Sequence, residues 1–155
     1  MPQIVKGGKY VFGWSTVDPN GKIVIPQEAL EEYNFLHAKR LILIPGSKKS
    51  GGFGLSTIES LAKSRLSFIL DEEPQFAAFQ VPEGEIVEIR GKPYCWAKLL
   101  HKSDISVSIN ALERYGIYPG SSLLSVRGSH LAIGFLVRGP IFEEAKNHSE
   151  LEWFS

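Results

Sequence analysis

The chain has 155 residues, of which 43% are hydrophobic and 11% aromatic, enough for a packed core, which excludes wholesale disorder. Seventeen basic and seventeen acidic side chains give a formal net charge of zero. No global field therefore attracts nucleic acid or an anionic membrane. The one cysteine, Cys95, excludes an internal disulfide framework and lies in a strand-like run, so we predict a buried thiol.

The first half of the chain predicts two strands, a helix and a hairpin. Tyr10 to Val17 is aromatic and β-branched and is typical of a strand. Asp18 to Gly21 has the residues of a type I turn and leads into a short strand over 22–25. Pro26 is suited to the first turn of a helix, which we expect to continue to Tyr33. A third strand over 40–44, a loop over 45–52 and a fourth strand over 53–55 complete this half.

The second half predicts the same order of elements. A strand over 94–100 and a turn over 101–104 precede a short strand over 105–107. Ser108 is placed to cap a helix over 109–115, and Gly116 to end it. Strands over 122–126 and 131–137 then form a hairpin. Each half is followed by a further predicted helix, over 60–66 after the capping-box pattern of Ser56 to Glu59, and over 140–147.

The repeated order reflects an internal duplication. Shifted by 82 positions, residues 4–53 align with residues 86–135 without a gap, and 13 of the 50 positions are identical. We therefore divide the chain into a first repeat with its trailing helix (1–67), a connector (68–84) and a second repeat with its trailing helix (85–155). The connector is acidic, although Phe76 to Val81 could add a strand. Each repeat is too small to close a good core alone, so we expect the two to form one unit.

The first repeat resembles the AbrB/MazE/SpoVT family of swapped-hairpin proteins. The shared pattern is a turn glycine, a basic residue, alternating aliphatic residues and a proline that opens a helix. The matching residues are Asp18, Gly21, Lys22, Ile23, Val24, Ile25, Pro26, Glu28, Leu30, Leu41 and Ile44. The second repeat departs from the pattern, since Asp104 replaces the basic residue and Ser108 the proline.

The resemblance implies a mainly β fold with short helices, of the α+β class. Two tandem β-β-α-β-β repeats would exchange hairpins into one swapped-hairpin β-barrel in a pseudo-twofold arrangement. Members of the family usually form this barrel as homodimers. Here both units lie in one chain, so we expect a monomeric pseudo-dimer, with a homodimer as the alternative.

The resemblance also implies a function, since the family commonly binds DNA in transcriptional control. Its contacts come from the first strand, the position after the turn glycine and the first turns of the helix. In this chain the basic residues at those positions are Lys22 and Lys98, and Lys102 lies in the turn that follows. We therefore expect a DNA-binding transcriptional regulator whose partner is double-stranded DNA.

A second group of basic residues lies in the loop of the first hairpin. Lys48 and Lys49 stand among glycines and serines, so this loop is either a phosphate-binding loop that uses its backbone N–H groups or a solvated turn. We count both lysines as candidate DNA contacts. The sequence is not a P-loop, because Gly52 stands where that motif needs lysine.

An alternative function follows from the charge pattern. Zero net charge, the lost basic positions of the second repeat and the acidic connector favour a unit that has stopped binding DNA. Such a unit would bind a protein partner or a small ligand. The two tryptophans at equivalent strand positions, Trp14 and Trp96, are predicted to be paired core residues and not base-stacking platforms.

We expect neither an enzyme nor a metal or cofactor site. The GxSxG motif is absent, and the four histidines lack partners at metal-ligand spacing. The N-terminus lacks a signal-peptide core, and the longest apolar stretch, 131–137, is too short to span a bilayer. We therefore expect a cytoplasmic protein without membrane association.

Overall fold

A computed structural model describes residues 10–155, and the first nine residues of the predicted first repeat lie outside this range. The described chain is mainly β with short helices, as predicted. Its strands are β1 (Val11–Thr16), β2 (Lys22–Val24), β3 (Arg40–Pro45), β4 (Phe53–Ser56), β5 (Val87–Ile89), β6 (Lys92–Lys98), β7 (Asp104–Ser106), β8 (Ser122–Arg127), β9 (Ile133–Leu136) and β10 (Trp153–Phe154). Its helices are α1 (Gln27–Glu32), α2 (Phe35–Ala38), α3 (Ile58–Ala62), α4 (Phe68–Glu72), α5 (Pro74–Ala77), α6 (Ile109–Arg114) and α7 (Pro140–Ala145).

The strands of each repeat pair mainly with strands of the other repeat. β1 of the first repeat runs antiparallel to β8 of the second, with Thr16 opposite Ser122. β6 of the second repeat runs antiparallel to β3 of the first, with Lys98 opposite Arg40. The second pair of residues is the first shifted by the 82-residue offset. The two repeats are thus exchanged about a local twofold relation.

Two strand pairs are centred on this local twofold relation. In the two-stranded ribbon of β2 and β7, Ile23 lies opposite Ile105, its own counterpart at the offset of 82. In the centre of the large sheet, β4 pairs with β9, and Phe53 lies opposite its counterpart Phe135. The two phenylalanine rings are stacked with centroids 5.1 Å apart. Both contacts join equivalent residues of the two repeats, so the centre of the molecule belongs to neither repeat alone.

The expectation of a closed barrel is wrong. The large sheet has eight strands in the order β10-β1-β8-β9-β4-β3-β6-β5 and is open at both ends. The outer edges of β1 and β6 pair with β10 and β5, and β2 and β7 pair with each other as a separate ribbon. These added edge partners occupy the hydrogen-bonding groups through which β1 and β6 could otherwise close a barrel.

The inner face of the sheet packs on one shared core. Alternate side chains of the sheet, such as Leu43, Phe53 and Phe135, meet the ribbon residues Ile23 and Ile105. Each of these side chains is buried, and burial of one such side chain contributes about 1.5–3 kcal/mol. The inner helices α1 and α6 add Leu30 and Leu112, among others, to the same core.

The outer face of the sheet is covered by two separate layers. On the β3–β6 side, α3, α4 and α5 pack through Leu61, Ile69 and Phe76. On the β1–β8 side, α7 and the C-terminal segment pack through Ala145 and Leu151. Trp14 is buried in one of these layers and Trp96 packs, partly buried, against the other, so the two are not the paired core residues that were predicted.

Local signals explain most of the helix starts and some differences from prediction. Ser108 caps α6, as predicted, because its hydroxyl accepts a hydrogen bond from the Ala111 N–H at 3.2 Å. The cap of α3 is Thr57, which accepts from the Ser60 N–H, so the predicted box of Ser56 and Glu59 is displaced by one residue. Residues 74–77 form helix α5, and the optional strand over 76–81 is not formed.

Gly21 shows why the ribbon needs glycine at its turn. Its φ is +81°, and a Cβ there would lie 2.1 Å from the Val107 carbonyl oxygen. The backbone of Val107 approaches this closely because its N–H donates to the Gly21 carbonyl at 3.0 Å. Only glycine fits both the positive φ and the contact. The turn glycine of the first repeat is therefore required by the second repeat.

The exchanged pairing predicts that neither half folds alone as a monomer. We expect separately produced fragments 1–84 and 85–155 to be largely unstructured as monomers. When they are mixed, they should form a one-to-one complex with the circular dichroism spectrum of the intact chain. Each half lacks the partner strands of its β1 or β6 and leaves its core residues exposed. A monomeric half with a dispersed amide NMR spectrum would contradict this.

Candidate functional site

Lys22, the central lysine of the predicted DNA face, is held beside a carboxylate. It lies on β2, and its Nζ is 3.9 Å from Oδ2 of the buried Asp104 on β7. Nδ1 of His101 also lies 3.4 Å from Oδ1 of Asp104. Asp104 is the counterpart of Lys22, so the twofold relation brings the two together. The carboxylate offsets part of the charge that Lys22 could offer to a phosphate.

Lys98 instead lies in a group of basic residues. It is opposite Arg40 across β6 and β3, and the Leu99 N–H donates to the Lys39 carbonyl at 2.6 Å. Lys102 follows in the next turn. We name Lys39, Arg40, Lys98 and Lys102 the basic cluster. All four are exposed, and within residues 10–155 none of them forms an ion pair.

One carboxylate and one aromatic ring lie next to the basic cluster. Oε2 of Glu83 accepts a hydrogen bond from the backbone N–H of Lys98 at 2.9 Å. The Arg40 guanidinium lies over the Phe79 ring at 5.1 Å from its centroid. This stacking orients Arg40 and leaves its N–H donors for another partner.

The basic cluster exists at one end of the pseudo-dimer only, where β3 of the first repeat meets β6 of the second. The counterparts of Lys39, Arg40, Lys98 and Lys102 at the offset of 82 are uncharged: Ser121, Ser122, Thr16 and Asn20. At the other end of the pseudo-dimer there is accordingly no equivalent group. Any ligand that reads the positive charge would contact the two repeats unequally.

Lys48 and Lys49 lie apart from the other three predicted lysines. They are at the tip of the β3–β4 hairpin, where the N–H groups of Gly46, Ser50, Gly51 and Gly52 all donate to acceptors of the protein. Those amides are therefore not available to cradle a phosphate. These hydrogen bonds favour a solvated turn over a phosphate-binding loop at this hairpin.

A groove of about 550 Å³ crosses the outer face of the sheet. Its floor is formed at Gly54 and Gly134, which lie opposite each other in β4 and β9. Neither residue has a side chain, so the two outer layers leave the middle of the sheet uncovered. Ile44 and Val126, counterparts in the two repeats, line the groove, which therefore spans the twofold relation.

The charged residues that line the groove are all positive: Lys49, Arg65, Lys92 and Arg138. Its described lining contains neither aspartate nor glutamate, and none of the four cations forms an ion pair within residues 10–155. The sequence prediction found Lys49 but missed the other three. The sequence did contain a signal for the groove itself, because a glycine inside a predicted strand marks a position where a ligand or another backbone approaches closely.

Cys95 is a buried structural thiol, as predicted. Its Sγ lies 3.8 Å from the Tyr115 Oη, which donates to the Pro93 carbonyl at 3.1 Å. Burial raises the pKa of the Cys95 thiol to about 11, so the nucleophilic thiolate is disfavoured at neutral pH. Among residues 10–155, no group of three His, Cys, Asp or Glu side chains is arranged to bind a metal ion. Over the same range, no helix is long and apolar enough to cross a membrane.

The raised pKa predicts a loss of stability in alkaline solution. The unfolded thiol ionises near its ordinary pKa of 9.0, before the folded thiol does, so the free energy of unfolding should fall as pH rises towards 11. For Cys95 the full loss is about 2–3 kcal/mol. Burial also raises the pKa values of Tyr33 and Tyr115, which adds a loss of the same sign. Urea unfolding at neutral and alkaline pH measures this, and Cys95→Ala should lose less stability over the same interval. An equal loss in both proteins would contradict the assignment.

No protein-family model, curated protein sequence or solved structure matches this chain significantly.

Proposed function

We propose that the chain is a duplicated AbrB-like unit that acts as a DNA-binding transcriptional regulator and not as an enzyme. The exchange of strands between the repeats supports the fold assignment, because β1 pairs with β8 and β3 with β6. The ribbon at Ile23 and Ile105 supports it further, since each repeat contributes the strand that follows its first turn. In this proposal one chain supplies both halves of the swapped-hairpin arrangement.

The observation that carries DNA binding is the basic cluster. Arg40 and Lys98 are directly opposite in an antiparallel pair, where like charges destabilise the sheet. A DNA phosphate between them would relieve this repulsion and make charge-assisted hydrogen bonds. Lys39 and Lys102 extend the positive surface along the backbone of a duplex. Such contacts supply affinity and orientation but not base specificity.

The proposed contact differs from the one that the family pattern implies. Lys22 contributes less than Lys98 because Asp104 lies beside it. Lys48 and Lys49 lie at another site. The second repeat supplies Lys98 and Lys102, and the first supplies Lys39 and Arg40. All four lie at the same end of the pseudo-dimer. The complex would therefore be asymmetric, with a site that is not palindromic.

The salt dependence of binding tests this contact. Four phosphate contacts predict a slope of about −3.6 for log K against log[salt] on duplex DNA. The double variant Arg40→Ala/Lys98→Ala should reduce the slope by about 2, because two contacts are lost. Fluorescence anisotropy of a labelled duplex of mixed sequence, titrated between about 50 and 200 mM salt, measures both.

Two variants serve as matched controls. Lys48→Ala/Lys49→Ala removes two charges from the remote hairpin tip and should leave the slope nearly unchanged. Glu83→Gln removes the carboxylate beside Lys98 and should strengthen binding at low salt. No binding by a folded wild-type protein, or equal losses in both double variants, would contradict the proposal.

The groove on the outer face favours a second function, the binding of a small ligand by the same fold. No member of the basic cluster lines the groove. Both functions can therefore belong to one protein, with the ligand in the groove and DNA at the basic cluster.

A further inference from the structure

We propose that the groove binds a small amphipathic anion, with an apolar body and a single carboxylate or phosphate head group. The proposal stands whether or not the chain binds DNA, since no member of the basic cluster lines the groove.

The volume and the walls of the groove set the size and polarity of the ligand body. About 550 Å³ is within the range of sites that bury most of a drug-sized molecule. The walls near the glycine floor are apolar and include Ile44, Val126, Leu131 and Leu136. Removing an apolar ligand body from water against these side chains is favourable.

The floor is open because two glycines face each other. A Cβ at Gly54 would lie 3.0 Å from the Ile44 side chain, and one at Gly134 would lie 3.3 Å from Val126. Any larger side chain at either position would project into the groove, because the neighbouring residues of the strand, Phe53 and Phe135, point into the inner core. Neither glycine has a positive φ, so backbone conformation does not require glycine there. The requirement we infer is for space.

Two of the cations lie together beside the first hairpin loop, where they can hold the head group. Arg138 Nη2 donates to the Lys48 carbonyl at 2.8 Å, which fixes the guanidinium beside the hairpin loop that carries Lys49. β3 and β6 are paired as far as Leu43 and Cys95, and Lys92, at the start of β6, lines the same groove as Gly46 and Ser47 of this loop. Arg138 and Lys49 therefore lie together beside the hairpin loop, and Lys92 and Arg65 line the same groove.

The two hairpin loops contribute unequally to the charge of the groove. The counterpart loop of the second repeat lines the groove with Gly128 and Ser129, and no lysine or arginine of that loop reaches it. A groove with lining cations, no lining carboxylate and apolar walls selects a ligand with an apolar body and an anionic head group. The cations would otherwise repel one another, and in the absence of lining carboxylates an anion offsets that repulsion.

Calorimetric titration of the full chain with four probes tests the proposal. The probes are decanoate, decyl phosphate, decanol and inorganic phosphate, each below its micellar concentration. We expect decanoate and decyl phosphate to bind with one-to-one stoichiometry, decanol to bind at least tenfold more weakly, and inorganic phosphate not to bind. The tighter of the two anions identifies the head group as a carboxylate or a phosphate.

Variants separate charge from space. Lys49→Gln/Lys92→Gln removes two exposed cations that the fold does not use and should weaken decanoate binding roughly tenfold. Lys39→Gln/Lys102→Gln removes the same charge from the basic cluster and should leave decanoate binding unchanged. Gly134→Val fills the floor and should abolish binding in a protein that retains its circular dichroism spectrum.

Several results would overturn the assignment. Equal binding of decanol and decanoate would mean that the cations do not recognise the head group. Equal affinity of phosphate and decyl phosphate would mean that the apolar walls contribute nothing. Absence of binding by all four probes, or equal effects of the two lysine double variants, would also reject it. The DNA-binding proposal has its own readout in the Arg40 and Lys98 variant, so the two proposals can fail separately.

Discussion

The fold depends on the pairing of each repeat's first strand with the third strand of the other repeat. β1 finds its main partner in β8, and β6 finds its main partner in β3. A single repeat would expose both the unpaired backbone groups of these strands and the apolar side chains that alternate along them. The duplicated sequence therefore has to be read as one folding unit with a local twofold relation through Ile23/Ile105 and Phe53/Phe135.

That relation also places the two candidate sites. It brings Asp104 to Lys22, its own counterpart, so divergence at one aligned position changed the charge at the centre of the ribbon. It brings Gly54 opposite Gly134, so the outer face is left without side chains where the repeats meet. Divergence elsewhere made the halves unequal, since Arg40 and Lys98 have uncharged counterparts. The candidate functional surfaces therefore arise where the two repeats, which share one fold, differ in sequence.

Electrostatics distinguishes the candidate sites. At the ribbon, Asp104 partly balances the charge of Lys22, and at the basic cluster Glu83 lies beside Lys98. In the groove, four cations have no lining carboxylate near them. Elsewhere arginines are matched, as in the exposed pairs of Arg127 with Glu32 and Arg114 with Glu88. Zero net charge for the whole chain thus conceals two local excesses of positive charge, and unpaired cations of this kind are where an anionic partner gains most.

The sequence by itself determined the duplication, the order of strands and helices that the two repeats share, the buried state of Cys95 and the cap at Ser108. These follow from local chemistry: alternation of apolar residues, turn residues and a hydroxyl before a helix act within a few positions of the chain. The sequence did not determine that the sheet stays open, because the pairing of Trp14 with Trp153 joins segments far apart in the chain. Nor did it determine that Lys22 meets Asp104, that Arg40 meets Lys98, or that Lys92 and Arg138 share a groove. Those contacts depend on strand register between distant segments, which only the tertiary structure decides.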